Sequence, residues 1–378
     1  MSIRQHNLGS IVKPGFNALG VQTTTYTYFP YLYGWGSNTQ GQLGLGNTTN
    51  YSAPKQIGTL TNWLSMAVGY ANVATTKTDG TLWTWGYNPN GELGLGNTTY
   101  YSSPKQVGSL TNWLVVANGR MHSLAVKTNG TLWSWGRNQL GQLGLGNTTY
   151  YSSPKQVGAL TTWSKISGGY YYSVAIKTDG TLWSWGANDY GQLGLGNITN
   201  YSSPKQVGAL TTWSSVTCGT YQTIAIQTNG TLWAWGQNSY GQLGINNQTS
   251  YSSPKQVGAL TTWINIASGY SYTMAARTNG TLWSWGRNNF GQLGLGNITY
   301  YSSPMQVGAL TSWAKPACGS NFSTATKTDG TIWTWGYNGQ GQLGLGNTTN
   351  RSSPNQVGAL TTWLSATSGT TFTVALLY

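Results

Sequence analysis

Two short runs carry the pattern from which the reading of this chain starts. Ser123-Leu124-Ala125-Val126-Lys127-Thr128 alternates, Asn129-Gly130 interrupts it, and Thr131-Leu132-Trp133-Ser134-Trp135 alternates back. A period of two on both sides of an Asn-Gly pair predicts antiparallel strands joined by a tight turn. With Thr128 opposite Thr131, Leu124 faces Trp135 and Val126 faces Trp133, while Ala125 and Leu132 point to the other side. Both sides are apolar enough to need cover, so each sheet is expected to lie between two neighbours. No window holds a 3.6-residue apolar stripe free of glycine, which argues against a helical fold.

The hairpin returns every fifty residues. Trp-Gly pairs stand at Trp35, Trp85, Trp135, Trp185, Trp235, Trp285 and Trp335, each followed by a Gly-(Gln/Glu)-Leu-Gly run. Seven copies at a fixed period describe one supersecondary unit stacked on itself. Whole units run 61–110, 111–160, 161–210, 211–260, 261–310 and 311–360. Residues 361–378 supply the first half of another unit and 25–60 the second half, so the ends are expected to meet in a split unit. Such a ring leaves no open sheet edge, whereas an open array would carry distinct caps, and none is present. The expected fold is all-β: a closed propeller over 25–378 behind an arm, residues 1–24, that is flexible or serves attachment.

The twenty tryptophans fall in three columns, headed by Trp35, Trp63 and Trp83. Such periodicity marks core packing. Runs such as Gly141-Gln142-Leu143-Gly144-Leu145-Gly146 lack the Lys-Ser/Thr and the helix of a phosphate loop and read as structural turns. The fifth copy has Ile245-Asn246, which puts its third glycine in doubt as a requirement.

The unit Gly-x-x-(His/aromatic)-Ser-x-Ala-x-x-x-(Asp/Asn)-Gly-x-x-x-x-Trp-Gly-x-Asn-x-x-Gly-Gln-Leu-Gly resembles the repeat of the regulator of chromosome condensation family over residues 26–378. That resemblance implies seven blades of four strands. It also implies nucleotide exchange on a small GTPase with histone contact, which is not carried over. The histidine after the blade glycine is kept only at His122, and charge is sparse.

Composition narrows the chemistry. Charged residues make up 6% of the chain and the formal net charge is +13, against roughly 25% charged residues in an average domain. The balance favours an anionic partner, or reflects a surface in which Ser, Thr, Asn and Gln have replaced charge. The only acids are Asp79, Glu92, Asp179, Asp189 and Asp329. Asp79, Asp179 and Asp329 sit in hairpin turns where sister copies have Asn. Neither a catalytic triad nor a metal cluster can be assembled, so no enzyme activity, cofactor or metal is expected. Cys218 and Cys318 occupy the same point of non-adjacent repeats and read as buried thiols. The first twenty residues show no secretory signal and no stretch suits a bilayer span, so synthesis in a cytoplasm and no membrane insertion are expected.

Variation among the copies points to a candidate face. One variable stretch covers residues 70–72 and their counterparts, the other 87–90 and theirs, and hairpin pairing puts both at one end of every blade, with His122 opposite Arg137. Candidate binding residues are Tyr70, Tyr87, Arg120, His122, Arg137, Tyr170, Tyr172, Tyr190, Tyr221, Tyr240, Tyr270, Tyr272, Arg287, Phe290, Phe322 and Tyr337. Tyr, Phe, Arg, Asn and Gln at such positions suit a sugar or a protein surface. Lys55, Lys105, Lys155, Lys205 and Lys255 form one ring, and Lys77, Lys127, Lys177, Arg277 and Lys327 another. Without interleaved aromatics they read as solvated rims, and nucleic acid is not an expected partner.

Regular repeats, low charge and an arm together predict a virion appendage or capsid-decorating protein of a bacteriophage. In that reading Arg4, His6, Lys13, Pro14 and Phe16 attach the arm to a virion protein, and the variable face meets host glycan or protein. The alternative is a soluble protein-binding module, an inhibitor or scaffold; a chromatin or GTPase regulator ranks last.

Overall fold

The computed structural model describes residues 30–378, which form seven four-stranded antiparallel sheets arranged as the blades of a propeller. The arm and its attachment residues lie outside the described residues. One blade serves for six. Trp113–Asn118 is innermost, followed outward by His122–Lys127, Leu132–Gly136 and Tyr151–Gln156. The seventh blade is built from both ends of the repeat region, in the order Tyr51–Gln56, Tyr31–Gly36, Phe372–Leu377, Trp363–Ser368. Tyr31 lies opposite Leu377 and Trp35 opposite Thr373, so main-chain pairing closes the ring.

The hairpin register differs by one residue from the sequence expectation. Ser123 faces Trp135, Leu124 faces Ser134 and Ala125 faces Trp133. The cause is the turn. The Gly130 N–H donates to the Lys127 carbonyl at 2.8 Å and the Lys127 N–H to the Thr131 carbonyl at 3.0 Å, which leaves three residues in the loop. Gly130 has φ +76° while Asn129 keeps a negative φ, so this is a type I turn closed by a bulge glycine, not the two-residue turn that needs two positive φ values. Asn129 accepts from the Thr131 hydroxyl at 2.7 Å, and that hydroxyl accepts from Trp133 Nε1 at 2.9 Å. The chain of bonds gives the Asn/Asp-Gly-Thr-x-Trp spacing a physical reason.

One face of each blade packs on the next. Leu124, Val126, Leu132 and Val157 cluster with Trp163, Ala175 and Trp185 of the following blade. Burial of each indole removes ~150–250 Å² from water. Polar ties run across the same seam: Trp185 Nε1 and Ser173 Oγ both donate to the Gln142 carbonyl, at 2.9 and 2.8 Å. At the closing seam Trp35 Nε1 donates to the Gln342 carbonyl at 3.0 Å. The glycine run is what lets the indole approach, since a Cβ on Gly144 would lie 2.8 Å from Trp185 Nε1.

The second lysine ring is not a solvated rim. Lys127 is buried, with its ammonium 4.7 Å from the Trp113 ring and 3.8 Å from the Trp133 ring. Lys77, Lys177 and Lys327 sit in the same slot between two indoles. Burial pulls the Lys127 pKa down, while the two π-faces favour its charged form.

Candidate binding face

The two ends of the blades differ in construction. The turns at 119–121 and the loops at 137–150 share one end, the loop face. The hairpin turns at 128–130 and the connections at 157–162 share the other. A constant asparagine frames each loop: Asn138 Nδ2 donates to the Asn147 and Thr149 carbonyls, and its Oδ1 accepts from the Leu143 N–H at 2.9 Å. Gln142 Oε1 accepts from the Leu140 N–H at 3.0 Å. With those two side chains fixing the backbone, positions 137, 139 and 140 are left on the surface.

Seven of the expected residues form one continuous arc over four consecutive blades. The Arg120 guanidinium lies 4.9 Å from the Tyr70 ring and 4.0 Å from the Tyr170 ring. Tyr70 packs on Tyr87 at 5.7 Å. Tyr170 packs on Tyr221 at 5.5 Å, and Tyr221 on Tyr190 at 4.9 Å. Arg137 joins through Tyr171, which contacts Tyr170 at 4.2 Å and accepts a hydrogen bond from Arg137 Nη1 at 3.1 Å. A second group places Arg287 beside Tyr240 and Tyr270. A third pairs Phe290 with Tyr337 at 4.9 Å.

Four expected residues do not belong to this face. His122, Tyr172, Tyr272 and Phe322 are fully buried, because each opens a strand of its blade instead of lying in the turn, and alternation along that strand puts it on the side of Leu124 and Val126, against the next blade. His122 Nε2 pairs with Ser173 Oγ at 2.8 Å, and Tyr172 donates to the Gln222 carbonyl at 2.6 Å. Tyr272 donates in the same way to the Phe322 carbonyl. Burial lowers the His122 pKa to about 3, so its imidazole is neutral. The column varies because each seam is filled by a different wedge.

Tyr171 lies in the variable stretch but is not among the candidate residues, and sequence reasoning passed over three exposed rim tyrosines, Tyr100, Tyr150 and Tyr300. Tyr100 packs on Tyr87 at 5.0 Å and Tyr300 on Tyr240 at 5.7 Å. Their signal was present: the same position is Asn50, Asn200, Ser250 and Asn350 in other copies. Cys218 and Cys318 are unpaired thiols, the first buried and the second half-buried. Asp179 is a turn residue whose carboxyl is held below the usual range by the Thr181 hydroxyl and N–H. Among the described residues no three of His, Cys, Asp and Glu come together.

Residues 32–375 match the model of the RCC1-like domain. The chain belongs to that family. Solved RCC1-like structures superpose on nearly the whole of it. Human WBSCR16 has a TM-score of 0.82 at 22% identity, covering 92% of this chain and 98% of its own. Prp20p of Saccharomyces cerevisiae, described with its binding properties to Gsp1p and histones, gives 0.82 at 20% identity over 93% and 92% of the two chains. The yeast RCC1 (Prp20) bound to Kap60 gives 0.83 at 19% identity over 97% and 96%. At these identities the likeness concerns the fold. No curated protein matches the chain. On the loop face of this RCC1-like propeller one arginine, Arg120, is held between tyrosines of both flanking blades.

Proposed function

We propose that this RCC1-like propeller is a non-enzymatic binding module that engages a partner surface through its loop face. The observation that carries the reading is the arc from Tyr87 through Arg120 to Tyr190. Tyrosine and arginine are the side chains that most often dominate binding energy, and here mutual packing has already removed much of their rotamer freedom. Protein binding by the Prp20 relatives supports the class of function. A variant combining Tyr87→Ala, Arg137→Ala and Tyr190→Ala is expected to lose partner or cell-surface binding by about a hundredfold or more, with unchanged thermal stability. Undiminished binding by that folded variant would remove the loop face from the account.

Within this proposal the module is displayed on a bacteriophage particle and meets host glycan or protein. Low charge and a Thr- and Asn-rich surface support that context. Geometry adds to it, since Tyr31 pairs with Leu377 at the hairpin-turn end. A tether through residues 1–24 would therefore leave the loop face pointing outward. Particles assembled with a chain lacking 1–24 should fail to incorporate it, and normal incorporation would sink the tethering role.

A further inference from the structure

The hairpin-turn end of the molecule carries a feature that loop-face binding does not use. Every connection from an outermost to the next innermost strand holds a leucine, from Leu60 at fifty-residue steps to Leu360. All seven are exposed, by 42–50%. The Thr161 carbonyl lies against Gly130, and the Thr162 carbonyl accepts from the Thr178 N–H, so Leu160 stands between the hairpin turns of adjacent blades. Leu310 borders a seam with Val307, Trp313 and Trp333, which accounts for its covered half; the rest of the side chain stays accessible. Nearer the axis, Leu64, Leu114 and Ile264 near the start of innermost strands are 37–45% exposed. Together these side chains leave on the order of 800 Å² of apolar surface at one end of the molecule, about what each partner contributes to a standard interface.

We propose that the leucine ring joins two copies of this chain, stacked hairpin face to hairpin face about a twofold axis that lies across the propeller axis. A partner without sevenfold repetition would use one or two seams. A second copy brings a ring of the same spacing and meets all seven, as a self-complementary twofold interface requires. Charge on this face is sparse, as suits an interface core. The ammonium groups of Lys165 and Lys315 are each tied to a main-chain carbonyl of the next blade. Of the six hairpin turns, three carry Asp79, Asp179 and Asp329, three carry Asn129, Asn229 and Asn279, and the split blade has chain ends in place of a turn. A twofold that sets Asp179 against Asn279 also sets Asp329 against Asn129 and Asp79 against the split blade. No aspartate then faces another. The dimer does not depend on loop-face binding, and it leaves both loop faces free at its outer ends.

The test is sedimentation equilibrium of the full chain across the micromolar range, where the mass of two chains is expected. Combining Leu110→Lys, Leu210→Lys and Leu310→Lys should weaken pairing by about a hundredfold or more, since each would bury an unpaired ammonium. Combining Asn129→Asp, Asn229→Asp and Asn279→Asp makes all six turns acidic. It should weaken pairing about tenfold at low salt, with added salt restoring it. This second variant keeps the test sound if the first does not fold, because Asp79, Asp179 and Asp329 already occupy the same turn with the same threonine bond. Lys105→Gln with Lys205→Gln, on the outer rim, should pair as wild type. The proposal is overturned if the full chain stays monomeric, or if either folded face variant pairs as wild type. The ring closes within residues 30–378, so 1–24 can also be removed. Pairing that is lost on their removal overturns the proposal, and pairing that appears only then gives the leucines to the chain's own arm instead.

Discussion

The hairpin-turn face and the loop face of this propeller are made by the same seven repeats and obey opposite rules. At the hairpin face every turn repeats a Thr-(Asp/Asn)-Gly-Thr pattern, and the lysine beside it is pinned between two indoles in four blades. At the loop face the frame residues Asn138 and Gln142 recur, and the side chains around them differ from blade to blade. Uniformity marks positions where backbone geometry and packing dictate the residue. Variety marks two separate things: surface left free by the frame, and the buried wedge column, where each seam is packed in its own way. Arg120 and His122 are two residues apart, and each vary among the copies, yet one is on the surface and the other is sealed.

The strongest way to break this contrast is at Gly130. A Cβ there would lie 2.0 Å from the Thr161 carbonyl, at φ +76°. Gly130→Ala therefore meets both a left-handed backbone and a neighbouring main chain, and is expected to cost about 2–4 kcal/mol in urea unfolding. A loss under about 1 kcal/mol would mean that the 157–162 connection gives way and the hairpin face is not dictated as described.

Next in size is His122, where the contrast depends on pH. Its folded pKa of about 3 lies below the ordinary histidine value because burial disfavours the imidazolium. The unfolded chain therefore binds the proton first. Stability from this group is complete above about pH 6.5 and falls by roughly 1.4 kcal/mol per unit as the pH drops toward 3. His122→Phe places there the residue found at Phe322 and Phe372, and Ser173 Oγ keeps its bond to Gln142. The variant should be about as stable as wild type at pH 7 and about 3 kcal/mol more stable than it at pH 4. Parallel acid curves for the two proteins would place His122 at the surface after all.

These two positions also show what was legible in the chain. The ring, its blade count and the meeting of its ends follow from the spacing of Trp-Gly pairs and from how 361–378 and 25–60 complete each other. The register does not follow from Asn-Gly alone, because the loop holds three residues, Thr128, Asn129 and Gly130, and not two. The Thr after the glycine, which satisfies the Asn129 side chain, marks the three-residue form. His122 reads as a surface position only if it belongs to the turn; as the first residue of the strand His122–Lys127 it shares the packed side of Leu124. A counter-signal was available: no copy carries a charge at that column, and each has a glycine three residues earlier, such as Gly119, where a Cβ would strike the His122 ring at 2.1 Å. The Arg120 arc was found as a set of residues, but its continuity through Tyr171 depends on contacts between blades that no single repeat encodes.

The smallest expected effect sharpens the contrast most. Gly146 has φ +77°, like Gly130, and the same argument from sequence would make it indispensable. Its surroundings differ, since a Cβ there meets nothing nearer than Ser203 Oγ at 3.6 Å. The fifth blade has already made the replacement. Asn246 adopts φ +63° and donates its N–H to the Ser302 carbonyl at 2.8 Å, as Gly146 does to Ser202. Asparagine tolerates this region at low cost, and its side chain gains a bond from Ser303 Oγ at 3.1 Å. Gly146→Asn should thus change stability by no more than about 0.5 kcal/mol, while Gly146→Val, β-branched at positive φ, should cost more than about 1 kcal/mol. If Asn proves as damaging as Val, the loop frame is as rigidly specified as the hairpin face, and variety around it can no longer be read as freedom to recognise.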